Sequence, residues 1–178
     1  MTRLAAALVL LGALAPFTTE ARLLDSRANG MTVENTVVVP VDAATAWDGL
    51  VKHVDEWWPR DHSWFGKDST FSITPKAGGC FCEIAGKRQA MHMTIGFVDP
   101  RKLLRMVGGL GPFQGMGLQG SLDWRFESVE GGTKITLLYI VGGYSATDLT
   151  QLAPVVDQVQ ALQLGGLGDW LRARAKQK

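Results

Sequence analysis

Glu83 and His92 are the residues of this chain whose types and spacing best suit proton-transfer chemistry. They lie on two strands of a predicted β-hairpin whose turn is Gly86-Lys87, since glycine suits the first central position of a type II′ turn. If Ala85 pairs with Arg88 across that turn, the two side chains are neighbours on one face. A carboxylate raises the pKa of an adjacent imidazole, and such a pair can act in acid–base catalysis. The alternative is an exposed ion pair that contributes little to stability.

The opposite face of the same hairpin carries sulfur. In this register Cys80 and Cys82 face Met93 and Met91, and soft sulfur ligands suit Cu(I). Cysteine and methionine also pack as ordinary apolar residues, and the face continues with Ile84, Ile95 and Phe97. We therefore expect this face to be core rather than a metal site, although the sequence leaves open which face lines a cavity. A Cys80–Cys82 disulfide lies near the geometric limit for a bridge, and an oxidising compartment would permit it.

Five large aromatic residues are candidates for contact with a ligand. Trp57, Trp58 and Trp64 cluster where two short predicted helices meet a loop, and an aromatic side chain at a cavity rim binds flat apolar molecules. Trp124 and Tyr139 lie on different strands of a second predicted hairpin. Both fit a core position best, with cavity lining as the alternative.

A glycine-rich connection spans residues 108–120. Its segment 115–120 matches G-x-G-x-x-G, but a predicted strand follows it, whereas the dinucleotide fingerprint requires a helix there. The sequence also has no G-x-S-x-G, H-E-x-x-H or phosphate-loop motif. We expect no metal and no organic cofactor. The connection is interpreted as a flexible loop or as a gate over a cavity mouth, with apolar gate residues Leu110, Pro112, Phe113 and Met116.

Hydrophobic periodicity predicts the elements that position these residues. Strands are predicted at 32–40, 70–74, 80–84, 89–98, 103–107, 121–129 and 133–141, short helices at 43–51 and 53–58, and a long helix over 152–176. Consecutive strands with short connections imply an antiparallel sheet, and the long helix must cover its apolar face. The predicted class is α+β with a helix-grip architecture: a curved sheet of about six or seven strands wrapped around the C-terminal helix, with two short helices after the first strand and room for a cavity.

The first 21 residues have the pattern of a secretory signal peptide. Arg3 precedes an uncharged apolar run over 4–15, and Thr19-Glu20-Ala21 offers a cleavage site. The run is shorter than the roughly 20 residues of a membrane-spanning helix, although an uncleaved anchor is the alternative. We predict a leader at 1–21 that packs against nothing, a polar lead-in at 22–30, and one domain at 31–178. The protein is then periplasmic or secreted, with no stable membrane insertion after leader removal.

Composition narrows the partners. With 18 basic and 17 acidic residues the net charge is +1, which gives no electrostatic reason to expect nucleic acid or an anionic membrane surface. The hydrophobic fraction of 46% is that of a globular domain.

The chain resembles the SRPBCC superfamily, whose START-like helix-grip fold is shared with birch-pollen-allergen-like proteins. Within it, the chain is most similar to the activator-of-heat-shock-ATPase-like and polyketide-cyclase-like branch. The matching segments cover nearly all of the mature chain: 41–47, 55–59, 78–83, 92–93, 99–100, 108–112, 131–133, 139 and 142–144. The resemblance implies a cavity for apolar ligands and, in some members, cyclisation or hydrolysis. The predicted leader argues against the co-chaperone role of cytosolic relatives.

We therefore expect an exported binding protein, rather than an enzyme, that holds a small hydrophobic or amphipathic ligand. Its predicted ligand-binding residues are Trp57, Trp58, Trp64, Glu83, His92, Trp124 and Tyr139. One alternative is a cyclase- or hydrolase-like enzyme that uses Glu83 and His92. Another is a module that binds a protein partner in envelope stress.

Overall fold

One antiparallel sheet and one long helix form the frame of the molecule. The computed structural model describes residues 20–176. Eight strands pair in the order β1-β2-β8-β7-β6-β5-β4-β3. They are β1 Glu20–Arg27, β2 Gly30–Val39, β3 Thr70–Ile73, β4 Cys80–Ala85, β5 Arg88–Asp99, β6 Leu103–Val107, β7 Gln119–Val129 and β8 Gly132–Gly142. The helices are α1 Ala43–Lys52, α2 Val54–Trp57, α3 Pro112–Gly115 and α4 Ala153–Ala175, with 3₁₀ turns at Arg60–His62, Gly66–Asp68 and Leu149–Gln151.

The α+β class, the antiparallel pairing and the C-terminal helix are confirmed, but the sheet has one strand more than predicted. The segment expected as a polar lead-in forms most of β1, which pairs antiparallel with β2. Its polarity fits an edge strand, because only one side of such a strand is hydrogen-bonded to the sheet. The short helices consequently follow the second strand rather than the first.

The boundary of the predicted leader also changes. Glu20 and Ala21 belong to β1, where their Cα partners are Thr36 and Asn35. The expectation that residues up to Ala21 contact nothing is therefore wrong for these two positions. The rest of the predicted leader lies outside the described residues.

Two β-bulges in β5 overturn the predicted faces of the first hairpin. Cys82 pairs with Met91 as predicted, but an extra residue, His92, shifts the next pair to Phe81 and Met93. A second irregularity follows between Ile95 and Phe97. A bulge places consecutive residues on one side of a strand and so resets the alternation. Met93 and Ile95 are consequently buried, whereas Met91 and Phe97 lie on the exposed side.

The sulfur-containing face is thus the outer face of the sheet, not the core. Ile84 and Met91 are exposed there, and Cys80 and Cys82 are half-buried and joined in a disulfide. The inner face of the hairpin carries Phe81 and the Glu83–His92 pair instead.

Helix α4 crosses the inner side of the sheet, chiefly over β2. Leu164, Leu167 and Leu171 are fully buried along one stripe. Gly166 makes the close approach to α2 feasible, because a Cβ at that position would lie 2.6 Å from the carbonyl oxygen of Trp57. The glycines that weakened the helical pattern therefore mark close packing. In residues 20–176, the helices lack the combination of length and apolarity that spanning a membrane requires.

Candidate functional site

A cavity of about 460 Å³ lies between α4, the inner face of the sheet and two loops. Strands β5 and β8 contribute His92 and Tyr139, and the N-terminal half of α4 contributes Val156 and Gln160. The remaining wall comes from the segment after α2 and from the glycine-rich connection. All lining residues are Trp58, Asp61, His62, Ser63, Trp64, His92, Leu110, Gly111, Pro112, Phe113, Met116, Tyr139, Leu152, Val155, Val156, Val159, Gln160 and Gln163.

The structure brings most of the sequence-predicted site residues to this cavity. Of the seven predicted ligand contacts, Trp58, Trp64, His92 and Tyr139 line it, and so do the four gate residues Leu110, Pro112, Phe113 and Met116. The cavity therefore draws its walls from four separate parts of the chain.

Trp57 and Trp124 do not line the cavity; both are core residues. Their ring centroids lie 5.8 Å apart in an edge-on arrangement. The indole N–H of Trp57 donates to the Gly49 carbonyl over 2.9 Å, which ties α2 to α1. Trp124 is almost fully buried on β7. These two tryptophans support the wall of the cavity from behind.

Glu83 lies one layer beneath the cavity and anchors the loop that follows the 3₁₀ turn Arg60–His62. Its Oε1 accepts from Ser63 Oγ and from the Phe65 amide at 3.1 Å. Its Oε2 accepts from the Trp64 amide at 3.0 Å and pairs with His92 Nε2 at 3.0 Å. The side chain is 0% exposed. Burial alone would raise the pKa of Glu83, but the hydrogen bonds from Ser63, Ser69, Trp64 and Phe65 outweigh it and lower the pKa to about 2.

His92 connects this buried carboxylate to the cavity. Its ring lies between Phe71 and Phe81, with centroid distances of 5.7 Å and 5.0 Å. Burial lowers the pKa of His92, and the hydrogen bond from Glu83 only partly offsets that effect. The ring is therefore neutral near neutral pH. Because the ionised carboxylate of Glu83 accepts at Nε2, that nitrogen carries the proton and Nδ1 is the basic nitrogen.

Tyr139 fixes the glycine-rich connection to the sheet. Its hydroxyl oxygen accepts from the Leu110 amide at 3.0 Å, just before α3. Burial raises the pKa of Tyr139 to about 12, so the phenol stays protonated and keeps its O–H. The hydroxyl hydrogen is then available to a group in the cavity.

Two glutamines of α4 complete the polar part of the site, and the sequence analysis missed both. Gln160 and Gln163 are 2% and 3% exposed. Their Oε1 atoms are buried without a hydrogen-bond partner within the described chain. The available signal was spacing: Gln160 extends the stripe of Leu164, Leu167 and Leu171 by one helical turn toward the N-terminus.

The predicted absence of nucleotide and metal motifs can be set beside the structure. Strand β7 follows the G-x-G-x-x-G match where a dinucleotide site needs a helix. Among residues 20–176, no three His, Cys, Asp or Glu side chains are grouped as metal ligands.

Comparison with known proteins gives relatives in structure only. No family model matches the chain, and no curated protein matches it. CalU16 from Micromonospora echinospora superposes with a TM-score of 0.59 at 16% identity, covering 86% of this chain and 84% of its own. A Rhodobacter sphaeroides protein gives 0.58 at 14%, covering 86% and 99%. An uncharacterised Rhizobium leguminosarum protein gives 0.55 at 15%, covering 88% and 99%. At these identities the likeness is one of fold, and it agrees with a helix-grip arrangement.

Proposed function

We propose that this protein is an exported, SRPBCC-like helix-grip protein that binds one small, largely apolar molecule in the cavity beneath α4. The observation that carries the proposal is the cavity itself. Its volume of about 460 Å³ falls within the range of small-molecule sites, and aliphatic and aromatic side chains dominate its walls. A core with no ligand to hold is ordinarily close-packed, with few voids larger than a water molecule.

The mouth of the cavity supports exchange with solvent. Trp64 and Val155 both line the cavity, yet they are 52% and 57% exposed. They mark an opening between the loop held by Glu83 and the first turns of α4. The segment with Leu110 and Phe113 forms another side, and its attachment through the Tyr139 hydroxyl makes it a hinged cover.

Ligand binding is tested on the mature protein by native mass spectrometry and by titration with Nile red, a neutral dye whose emission shifts in apolar sites. We expect a co-purifying small molecule or a blue-shifted dye complex. In Val159→Trp an indole fills the cavity, and we expect at least ~10-fold weaker dye binding. The control is Ile140→Trp, at an exposed site on β8.

Two outcomes reject the proposal. One is the repeated absence of both a bound molecule and a dye complex. The other is equal dye affinity in Val159→Trp and the wild type, because binding would then occur outside the cavity.

A second candidate function, acid–base catalysis in the same cavity, is favoured by the Glu83–His92 pair. The two groups are 3.0 Å apart, buried, and joined so that the second ring nitrogen is basic. A carboxylate that fixes the tautomer of a histidine is the arrangement that general-base catalysis uses. Here His92 would take a proton from water attacking an ester or from an acidic C–H group.

This candidate is tested with naphthyl acetate, whose hydrolysis by water yields naphthol and acetate. We expect a rate that rises as His92 loses its proton and that is lost in His92→Gln while Nile red still binds. Equal rates in both proteins reject catalysis and leave ligand binding as the function.

A further inference from the structure

We propose that the cavity selects neutral ligands that carry a hydroxyl group, an alcohol or a phenol, and that Gln160 and Gln163 receive the hydroxyl hydrogen. This inference rests on the proposed binding function and specifies its ligand class. It starts from the two unpartnered amide oxygens on α4.

Both glutamines line the cavity and are nine-tenths or more buried. They are three residues apart on a helix, so their side chains lie on one face, about one turn from each other. The Nε2 atom of Gln163 lies 3.4 Å from His62 Nδ1, which leaves its oxygen as the free end of the amide. Gln160 makes no side-chain hydrogen bond within residues 20–176. Two acceptors thus share one side of the cavity.

Buried acceptors without donors are rare in folded proteins. An apolar occupant would leave these two oxygens without hydrogen bonds, whereas an occupant with an O–H or N–H group would satisfy at least one. The difference between a satisfied and an unsatisfied buried polar group corresponds to roughly 5- to 150-fold in affinity. The ligand is therefore expected to have a donor where it meets α4.

The charges around the cavity argue against an anion such as a fatty acid. No lysine or arginine is among the residues that line it, whereas Asp61 is. Behind His92 lies the ionised carboxylate of Glu83, and His92 itself is held neutral by burial. A carboxylate ligand would lose its hydration without gaining a cationic partner.

Tyr139 narrows the donor to a hydroxyl. Its oxygen already accepts from the Leu110 amide, so its hydrogen is offered to the cavity. A ligand hydroxyl can donate to a glutamine and accept from another group, which an N–H donor cannot do.

Three fluorescent probes with one ring system separate these requirements: hydroxypyrene, methoxypyrene and pyrene carboxylate. Each is titrated into the wild type, the Gln160→Met/Gln163→Met double variant, and Gln151→Met, a matched control at an exposed glutamine before α4. For the wild type and the control we expect hydroxypyrene to bind at least ~10-fold more tightly than either other probe. In the double variant we expect the hydroxyl and methoxy probes to differ by less than about 2-fold.

Each contrary result has one meaning. Equal affinity of the wild type for hydroxypyrene and methoxypyrene overturns the inference and leaves apolar binding intact. Equal binding of pyrene carboxylate and hydroxypyrene refutes the selection for neutral ligands. A hydroxyl preference that persists in the double variant refutes the assignment to the two glutamines. If no probe binds, the proposed binding function fails together with this inference.

Discussion

Replacing Glu83 by glutamine tests whether one buried carboxylate holds the cavity wall in place. The two oxygens of Glu83 each accept two hydrogen bonds: Ser63 and Phe65 donate to one, and Trp64 and His92 to the other. In Glu83→Gln one of these oxygens becomes an NH₂ group. The serine hydroxyl and the imidazole can reverse their roles and accept from that group, but a backbone N–H cannot. Whichever way the amide turns, one buried N–H of the loop is left unpaired.

The expected loss follows from this count. An unpaired buried donor costs about 1–3 kcal/mol, and the remaining bonds lose the strength that a charged acceptor gives them. We expect Glu83→Gln to lower the free energy of unfolding by about 2–4 kcal/mol near neutral pH. The assay is urea denaturation followed by tryptophan fluorescence and circular dichroism. Glu127→Gln, at an exposed position on β7, is the control and should change stability by less than about 0.5 kcal/mol.

Acid adds a second measurement of the same carboxylate. Its pKa is 4.5 when unperturbed and about 2 in the folded protein. The carboxylate therefore contributes about 3 kcal/mol above pH 4.5, which is lost as the pH falls toward 2. In a His92→Gln background, which removes the histidine titration, the stability gap caused by Glu83→Gln should shrink by that amount. A gap that is small at neutral pH, or one that does not change with acid, refutes the reasoning.

Three further predictions concern other parts of the fold. Because burial lowers the pKa of His92, the unfolded chain binds a proton first as the pH falls below the ordinary value of 6.5, so wild-type stability should decline there. His92→Gln should lack that part of the decline in denaturant titrations between about pH 7.5 and 5, and parallel curves would contradict it. Gly166→Ala should destabilise by about 1–3 kcal/mol, because the new Cβ meets the Trp57 carbonyl, whereas its neighbour Gly165→Ala has open space and should stabilise by up to about 1 kcal/mol; equal thermal shifts would refute the close packing. Cys80→Ser/Cys82→Ser should cost less than about 2 kcal/mol in denaturant titrations, because the disulfide closes a loop around a single residue; a larger loss would mean that the bridge holds the outer face together.

Local patterns predicted the elements well because they depend on short-range chemistry. The turn at Gly86 has the expected positive φ of 62°, and β6 occupies the residues predicted for it. The faces of β5 could not be predicted, since the bulge at His92 has no sequence signature in the alternation of Met91 and Met93. The first hairpin has apolar residues on both sides, so pattern alone could not choose the inner one.

The candidate site was predictable in its residue types but not in its connections. His92 and Tyr139 were identified as cavity candidates and line the cavity. The partners of Glu83 come from Ser63 and the two amides after it, about 20 residues away along the chain, and such contacts are set by tertiary packing. Gln160 was missed because a polar residue on a helix is ordinarily assigned to solvent, and an unfilled cavity reverses that assignment.

The position of β1 at the edge of the sheet has a consequence for the order of events during export. If the predicted leader is removed after Ala21, the peptidase must reach a segment that pairs with β2 in the folded protein. A protease acts on an extended chain that is free of partners, so cleavage has to precede the docking of this strand. The mature edge would then begin at Arg22, two pairs shorter, and β1 would join the sheet only once the leader is gone.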